Sequence, residues 1–431
     1  MLYRLLYVCL LAFCCALQPN ITEAAGITNY AKLVTADYWT AQNRSGDNLI
    51  LDAKGVEAFN AKVRAASRTV PDLLNYPTVF TGDSLRTKIM DYAVLEDDLY
   101  LHGNKVSENY KNILRKQTNT SKLNGPMSVR YAVTVRRSSM RILPTGEGLY
   151  YYAADKDFDA LQQTELDPGE PVIVLHESAN RFFYYVQAVN YSGWISKFDI
   201  AFTDKGTWEK YAKPEEFLVV TDAKLELKIG SEHVLYQQGA KLPIVSDKGE
   251  VYTVMVPTRT KGGTLSKQEL FIKKERKDIH KGYLPYTSNN IIRSAFKFYG
   301  MPYGWGGLKN SVDCSSLIFN AYRTVGIILP RDADQQEETA GIKTNLKALS
   351  NVPRSEIIGK LTPGAGLYMD GHSMMYLGKI NGVPYTIHSL GSYYGGGNRH
   401  IVMKVVVSDL SLVRSNGNSF TDELNTLVEF R

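Results

Sequence analysis

From residue 126 to about residue 273 the chain is a succession of short β-branched and aromatic runs that leaves a helix almost nowhere to form. "SVRYAVTVRRSSMRILPT", "EPVIVLHES", "RFFYYVQAV" and "YSGWISKFDIAF" come first, followed by "EFLVVTDAKLELKIG", "AKLPIVSDKG", "EVYTVMVPTRTKGG" and "SKQELFI". Gly, Pro, Asn and Asp separate them, and strands this short and this regularly punctuated close most readily into small barrels of about 70 to 80 residues. Two in succession are expected, over residues 126–208 and 209–278.

The flanks have a different texture. Residues 26–125 hold two helical patterns, "GVEAFNAKVRAAS" and "SLRTKIMDYAVLEDD", with the punctuated stretch "RTVPDLLNYPTVFTGD" between them. This predicts a mainly helical N-terminal domain that carries no chemistry of its own. After the basic connector "KKERKDIHKGYLPYT", Ser288 is expected to cap a helix with Ile291, Ile292, Ala295 and Phe296 on one face, ending at Gly300. A second helix is expected from about residue 315, with Leu317, Ile318, Ala321, Tyr322 and Val325 buried and Gly326 as its stop. Strands return in "GAGLYMD", "HSMMYLGKI", "VPYTIHSLG" and "HIVMKVVVSDL", so residues 279–431 form a last, α+β domain.

Residues 1–25 have the form of a secretory signal: one early arginine, an apolar run from Leu5 to Leu17 that is short for a membrane span, and small residues near Ala16 and Ala24. The expected location is the periplasm or cell envelope of a bacterium, with a lipid anchor on Cys14 as the alternative; Phe13 before it suits that chemistry poorly. Removal of the segment takes Cys9, Cys14 and Cys15 with it. The mature chain then keeps only Cys314, and an unpaired thiol in an exported protein is either a buried apolar residue or a reactive group. The net charge of +6 is spread without Lys/Arg blocks, so no nucleic-acid partner is expected, while a polyanionic wall is compatible.

Cys314 lies in "MPYGWGGLKNSVDCSSL", at the start of the second predicted helix. A thiol there meets the positive end of the helix dipole and free N–H groups, which favour the thiolate. Gly304, Gly306 and Gly307 would let backbone approach a reacting carbon, and Tyr303 could add a hydroxyl for an oxyanion. A thiol nucleophile needs a base and an orienting partner. Of seven histidines, three lie in the last domain, and His372 and His388 sit on consecutive predicted strands. A lone strand histidine is more often only a satisfied polar group; a pair beside the single thiol is a different matter. The hairpin decides whether they meet: a two-residue turn at Asn381-Gly382 would set His388 opposite Met375 and on the wrong face. A three-residue loop Ile380-Asn381-Gly382, or a bulge of equal effect, sets it opposite Met374 and on the face of His372.

In their order, "PYGWGG", "DCSSL", "GHSMMYLG" and "TIHS" resemble the motifs of the NlpC-type cell-wall cysteine peptidases, which are papain-like in layout. The strand-rich middle resembles paired bacterial SH3-like barrels, with "RILPT" and "GWISKFDIA" in the first. "GVEAFN" and "DLLNYP" resemble the stabilising domain that accompanies some of these enzymes. The resemblance implies hydrolysis of the amide between γ-D-glutamyl and a diamino acid in peptidoglycan stem peptides or muropeptides. It gives Cys314 as nucleophile, His372 as general base and acid, His388 as orienting residue, Tyr303 and the Cys314 N–H at the oxyanion, and Asp313 and Ser315 beside the substrate.

By the same resemblance, Asp332 in "LPRDADQQ" takes the position that binds the free amine of an N-terminal L-alanine. Its alternative is a helix N-cap, and Ala333 stands where such members often carry serine. Tyr191, before "SGW", is the candidate for a tyrosine lent by the first barrel, against a reading as a core or edge aromatic. No metal or cofactor is expected. The competing functions are a wall-binding protein without activity and a thiol acyl transferase or amidase.

Overall fold

The computed structural model describes residues 26–96, 98–347, 349 and 353–431, so the expected signal segment and its three cysteines lie outside the described residues. The N-terminal segment contributes helices Ala36–Gln42, Ala53–Ala66, Gly82–Tyr92 and Glu108–Gln117. Asp52, Thr81 and Ser107 each cap one of the last three by accepting an N–H three residues on. Pairing crosses the expected boundary after residue 125: Val79–Thr81 is hydrogen-bonded to Pro126–Ser128. The beginning of the segment belongs to the last domain's core, where Trp39 is buried 5.5 Å from the Tyr385 ring and Leu49–Leu51 pairs with Tyr286–Thr287.

The middle of the chain forms two strand systems. The first is a seven-stranded antiparallel sheet in the order Ile200–Thr203, Arg130–Thr134, Pro171–Glu177, Phe183–Gln187, Ser192–Ser196, Ser138–Arg141, Gln162–Leu166. The second joins five strands between Phe217 and Lys281, with a separate hairpin of Lys224–Ile229 and Glu232–Gln237. Alternation along the first strand of that hairpin is complete, Leu225, Leu227 and Ile229 inward and Lys224, Glu226 and Lys228 outward.

The last domain is a six-stranded antiparallel sheet, in the order Ile342–Asn345, Thr426–Glu429, Gly366–Met369, His372–Ile380, Val383–Gly395, Asn398–Asp409. Helices Ser288–Phe296 and Cys314–Arg323 bury Ile291, Ile292, Ala295, Leu317, Ile318 and Ala321 against one face of it. Thr287, not Ser288, is the N-cap of the first helix; its hydroxyl accepts from the Asn290 N–H, and Ser288 is already helical. The hairpin corrects the expected loop. Asn381 and Gly382, with φ of 50° and 84°, form a tight two-residue turn that pairs Ile380 with Val383. A bulge at Leu377 then moves the register so that Tyr376 faces Thr386 and Met375 faces Ile387. Carried on, that register puts His388 opposite Met374, on the face of His372.

A buried ion network joins the first strand system to the Cys314 helix. Arg323, on the last turn of that helix, donates to Asp167 at 3.0 Å and Glu170 at 2.6 Å, while Arg137 bonds Asp167 at 2.8 Å and Glu165 at 2.5 Å. Burial pushes Glu165 and Glu170 up, against the arginines that hold them ionised. Removing one member of such a set leaves a desolvated charge without its partner. Arg323→Met is therefore expected to cost on the order of 3 kcal/mol and to lower the Tm in calorimetry, with Arg323→Lys in between. An unchanged Tm in the methionine variant would mean the interface is held by other contacts.

Candidate active site

Cys314 is the first residue of its helix, partly exposed, and Asp313 is the N-cap. The Asp313 carboxylate accepts from the Ser316 N–H at 2.9 Å, and Ser316 Oγ accepts from the Asp313 N–H at 2.8 Å, a reciprocal capping box. The same carboxylate takes both Arg331 Nη atoms, at 3.1 and 2.5 Å, the Ser315 hydroxyl at 3.3 Å and the Gly306 N–H at 2.9 Å. Burial alone would raise it, but Arg331 and the Ser316 donors hold it below the usual carboxylate range. Asp313, expected beside the substrate, is thus turned inward and spends its lone pairs within the protein. Ser315 is likewise buried, with Arg331 donating to its hydroxyl at 3.0 Å.

The glycines before Cys314 have a different reason from the one their position suggests. Gly306 and Gly307 sit at φ of 56° and 86° and lie against the strand Gln162–Leu166; a Cβ on Gly306 would come within 2.6 Å of Gln162. Gln162 Nε2 donates to the Gly306 carbonyl at 2.9 Å, and the Trp305 indole donates to the Asp159 carbonyl at 3.0 Å. The loop is shaped to dock on its neighbour, and one wall of the cleft is that neighbour: Phe158 stands 5.7 Å from Tyr303 and 5.5 Å from Trp305, ring to ring.

His372 Nε2 and His388 Nδ1 are 2.7 Å apart, and His388 Nε2 is 2.9 Å from Ser408 Oγ. A proton on His388 Nε2, donated to Ser408, leaves Nδ1 as an acceptor for His372 Nε2–H, which fixes the ring and leaves His372 Nδ1 for the cleft. Burial and, secondarily, the Arg414 cation lower His372 to about 3; burial and His372 hold His388 well below its ordinary range. Both imidazoles are neutral at pH 7.

The sulfur is linked to this pair through the next residue. Ser373, the residue after His372, draws the Cys314 thiol down through its backbone N–H and hydroxyl, and that hydroxyl is buried with no hydrogen-bond partner in the resting site. The Tyr303 hydroxyl bonds the sulfur from the other side; burial, then Cys314 and Asp313, keep that phenol protonated. Burial and the adjacent Asp313 carboxylate push the Cys314 thiol up, while Ser373 and Arg331 pull it down. The expectation of a thiolate favoured by the helix dipole is therefore reversed for the resting site, where desolvation outweighs the dipole.

Asp332 precedes helix Ala333–Glu338 at its N-cap position, but its side chain makes no capping bond. It accepts from Gln335 Nε2 at 3.1 Å with the Tyr191 hydroxyl nearby, and burial raises it to about 6. Tyr191 is itself buried, donates to Gln163 Oε1, and lies 6.3 Å ring to ring from Tyr92 of the N-terminal segment. Three parts of the chain therefore meet at this carboxylate.

Arg331, Ser373, Ser408, Tyr92 and Arg414 were not singled out from the sequence. Arg331 had a signal, since it adjoins Asp332 in a stretch already under attention; the others are defined only by what the fold brings beside them.

Residues 300–403 match the NlpC/P60 family and residues 150–196 match an SH3 domain of the SH3b1 type. The chain therefore carries an NlpC/P60 domain and an SH3 domain within a multidomain architecture of mixed helix and strand. It is 26% identical over 237 residues to dipeptidyl-peptidase 6 of Lysinibacillus sphaericus, covering 52% of this chain and 80% of that protein. To the γ-D-glutamyl-L-lysine dipeptidyl-peptidase of Bacillus subtilis (strain 168) it is 24% identical over 250 residues, covering 56% and 71%. Among solved structures, an NlpC/P60 endopeptidase from Photobacterium damselae subsp. piscicida aligns with a TM-score of 0.73 at 18% identity, over 90% of this chain and 95% of that one, a likeness of fold.

The Ser373 contact yields a direct test. Ser373→Ala removes a donor to the thiolate and is expected to raise the pH midpoint of Cys314 alkylation by about one unit. Iodoacetamide labelling followed on the Cys314 peptide by mass spectrometry reads it; an unmoved midpoint would mean the hydroxyl does not act on the sulfur.

Proposed function

We propose that this chain is a cysteine endopeptidase that hydrolyses the γ-D-glutamyl–diamino acid amide of peptidoglycan stem peptides or muropeptides. The observation that carries the reading is the run of contacts from Ser408 through His388 to His372, whose strand neighbour Ser373 acts on the ionisation of Cys314 at its helix start. The names of the relatives, which speak of dipeptidyl-peptidases and of γ-D-glutamyl-L-lysine, support it.

In the mechanism we infer, Cys314 Sγ attacks the γ-carbonyl as its proton passes to His372 Nδ1. The Tyr303 hydroxyl and the Cys314 N–H at the helix start face the oxyanion. Collapse breaks the C–N bond, and His372 returns the proton to the departing amine. Water then attacks the thioester with His372 as base, and the thiol is restored. His388, held by Ser408, keeps the ring in place; as a neutral acceptor it can take the second N–H of the imidazolium. Asp332, with Tyr191 and Tyr92, forms the acyl-side pocket and suits the ammonium of an N-terminal L-alanine. In this reading the middle of the chain is two SH3-like barrels, the first a wall of the cleft. The N-terminal segment is a mainly helical stabilising domain, and the protein works in the cell envelope after export.

Cys314→Ala is expected to abolish turnover of L-Ala-γ-D-Glu-diamino acid peptides with no change in Tm; residual hydrolysis would rule out the thiol mechanism. Because Asp332 is charged only above about pH 6, kcat/KM on a free-amine peptide is expected to fall as pH drops through that value. An N-acetylated peptide and the Asp332→Asn variant are expected to lack this limb. A limb shared by both peptides would assign it to another group.

A further inference from the structure

A cavity of about 270 Å3 lies between Tyr303, Trp305, His372, Tyr393, Phe420 and Arg414, and Asp332 is not among its lining residues. The group that returns the proton to the leaving amine is His372, so this cavity receives the diamino acid. Its lining mixes aromatic rings with hydroxyls, backbone and the His372 imidazole, and Arg414 is the single full charge on it. Arg414 is not a loose surface side chain. Its Nη1 donates to the Asp370 carbonyl at 2.6 Å, its N–H bonds Asn418, and the preceding Val413 carbonyl accepts from Tyr394. No carboxylate forms an ion pair with it among the described residues. Glu423, the acid that feels it, is engaged by Asn416 at 2.9 Å and Asn418 at 2.7 Å. The carboxylate of Asp370 is held by Asn425 and lies outside the cavity.

Resting on the peptidase reading above, we propose that Arg414 makes the leaving-group side a carboxylate subsite, selecting a diamino acid whose side chain ends in a carboxylate, meso-diaminopimelate, over L-lysine. A planar guanidinium fits a carboxylate in two-point fashion, and since both residues carry the terminal ammonium, the carboxylate alone is what discriminates them. The position adds a second effect. The cation bears on His372, so a substrate carboxylate beside it offsets that field when the imidazolium forms.

The test uses four peptides on the full chain: L-Ala-γ-D-Glu followed by meso-diaminopimelate or L-lysine, each with a free or an amidated C-terminus. The expected result is kcat/KM at least about tenfold higher for meso-diaminopimelate at either terminus. That ratio should collapse towards one in Arg414→Gln and be largely kept in Arg414→Lys. Because the ratio is internal to one enzyme, a general loss of activity in a variant does not mimic it. Equal cleavage of both residues, a preference for lysine, or a preference that follows the free C-terminus would overturn the proposal while leaving the peptidase reading intact. Failure to cleave any of the four would overturn the peptidase reading and this inference with it.

Discussion

The Asp313 carboxylate is the contact on which the cleft depends. It caps the Cys314 helix, receives the Gly306 N–H and pairs both Nη atoms of Arg331. One buried anion thus sets the start of the helix, the course of the loop that carries Tyr303, and the strand of chain that leads to Asp332. The arrangement works against the thiolate, since Asp313 also pushes the thiol up. Arg331 makes it tolerable: a buried carboxylate without its cation would cost on the order of several kcal/mol, and the cation offsets part of what Asp313 does to the sulfur.

The second constraint is that the site is not contained in one domain. Arg331 reaches Thr164 at 3.0 Å, Gln162 holds the Gly306 carbonyl, and Phe158 faces Tyr303 and Trp305. The network of Arg323, Arg137, Asp167, Glu165 and Glu170 keeps that interface in register from the other end of the Cys314 helix. Even the N-terminal segment takes part, through Tyr92 at the Asp332 pocket and Trp39 in the core beneath Gly378. Substrate access is therefore a property of the assembled chain.

What the sequence made legible follows from how local each signal is. The thiol, the two histidines and the buried faces of both helices are written in type and period; the fold sets Cys314 at a helix start, the imidazoles 2.7 Å apart and the helix faces in the core. The bulge at Leu377 was open as one of two ways to bring the imidazoles to one face; the turn residues Asn381-Gly382 alone pointed to the other register. Gly306 and Gly307 were misread because a glycine that avoids a neighbouring domain and one that admits a substrate have the same local signature. Ser408 and Arg414 lie in strand and loop sequence with nothing to distinguish them, and acquire meaning only from the groups that tertiary structure sets within a few ångströms of them.

Burial disfavours charge on both the Cys314 thiol and the His372 imidazole. Desolvation raises the one and lowers the other to about 3, so proton transfer between them is uphill until something stabilises the charges it creates. The fixed donors for the sulfur are Ser373 and Tyr303, and the acceptor for the imidazolium is His388, all in place beforehand. The one element working against His372 besides burial is Arg414, a cation without an ion-pair partner among the described residues. A ligand that brings a negative charge to Arg414 and a positive one to Asp332 therefore completes both ends of the cleft at once. It removes the opposing field at the base while it anchors the acyl side, so that binding and activation become the same event.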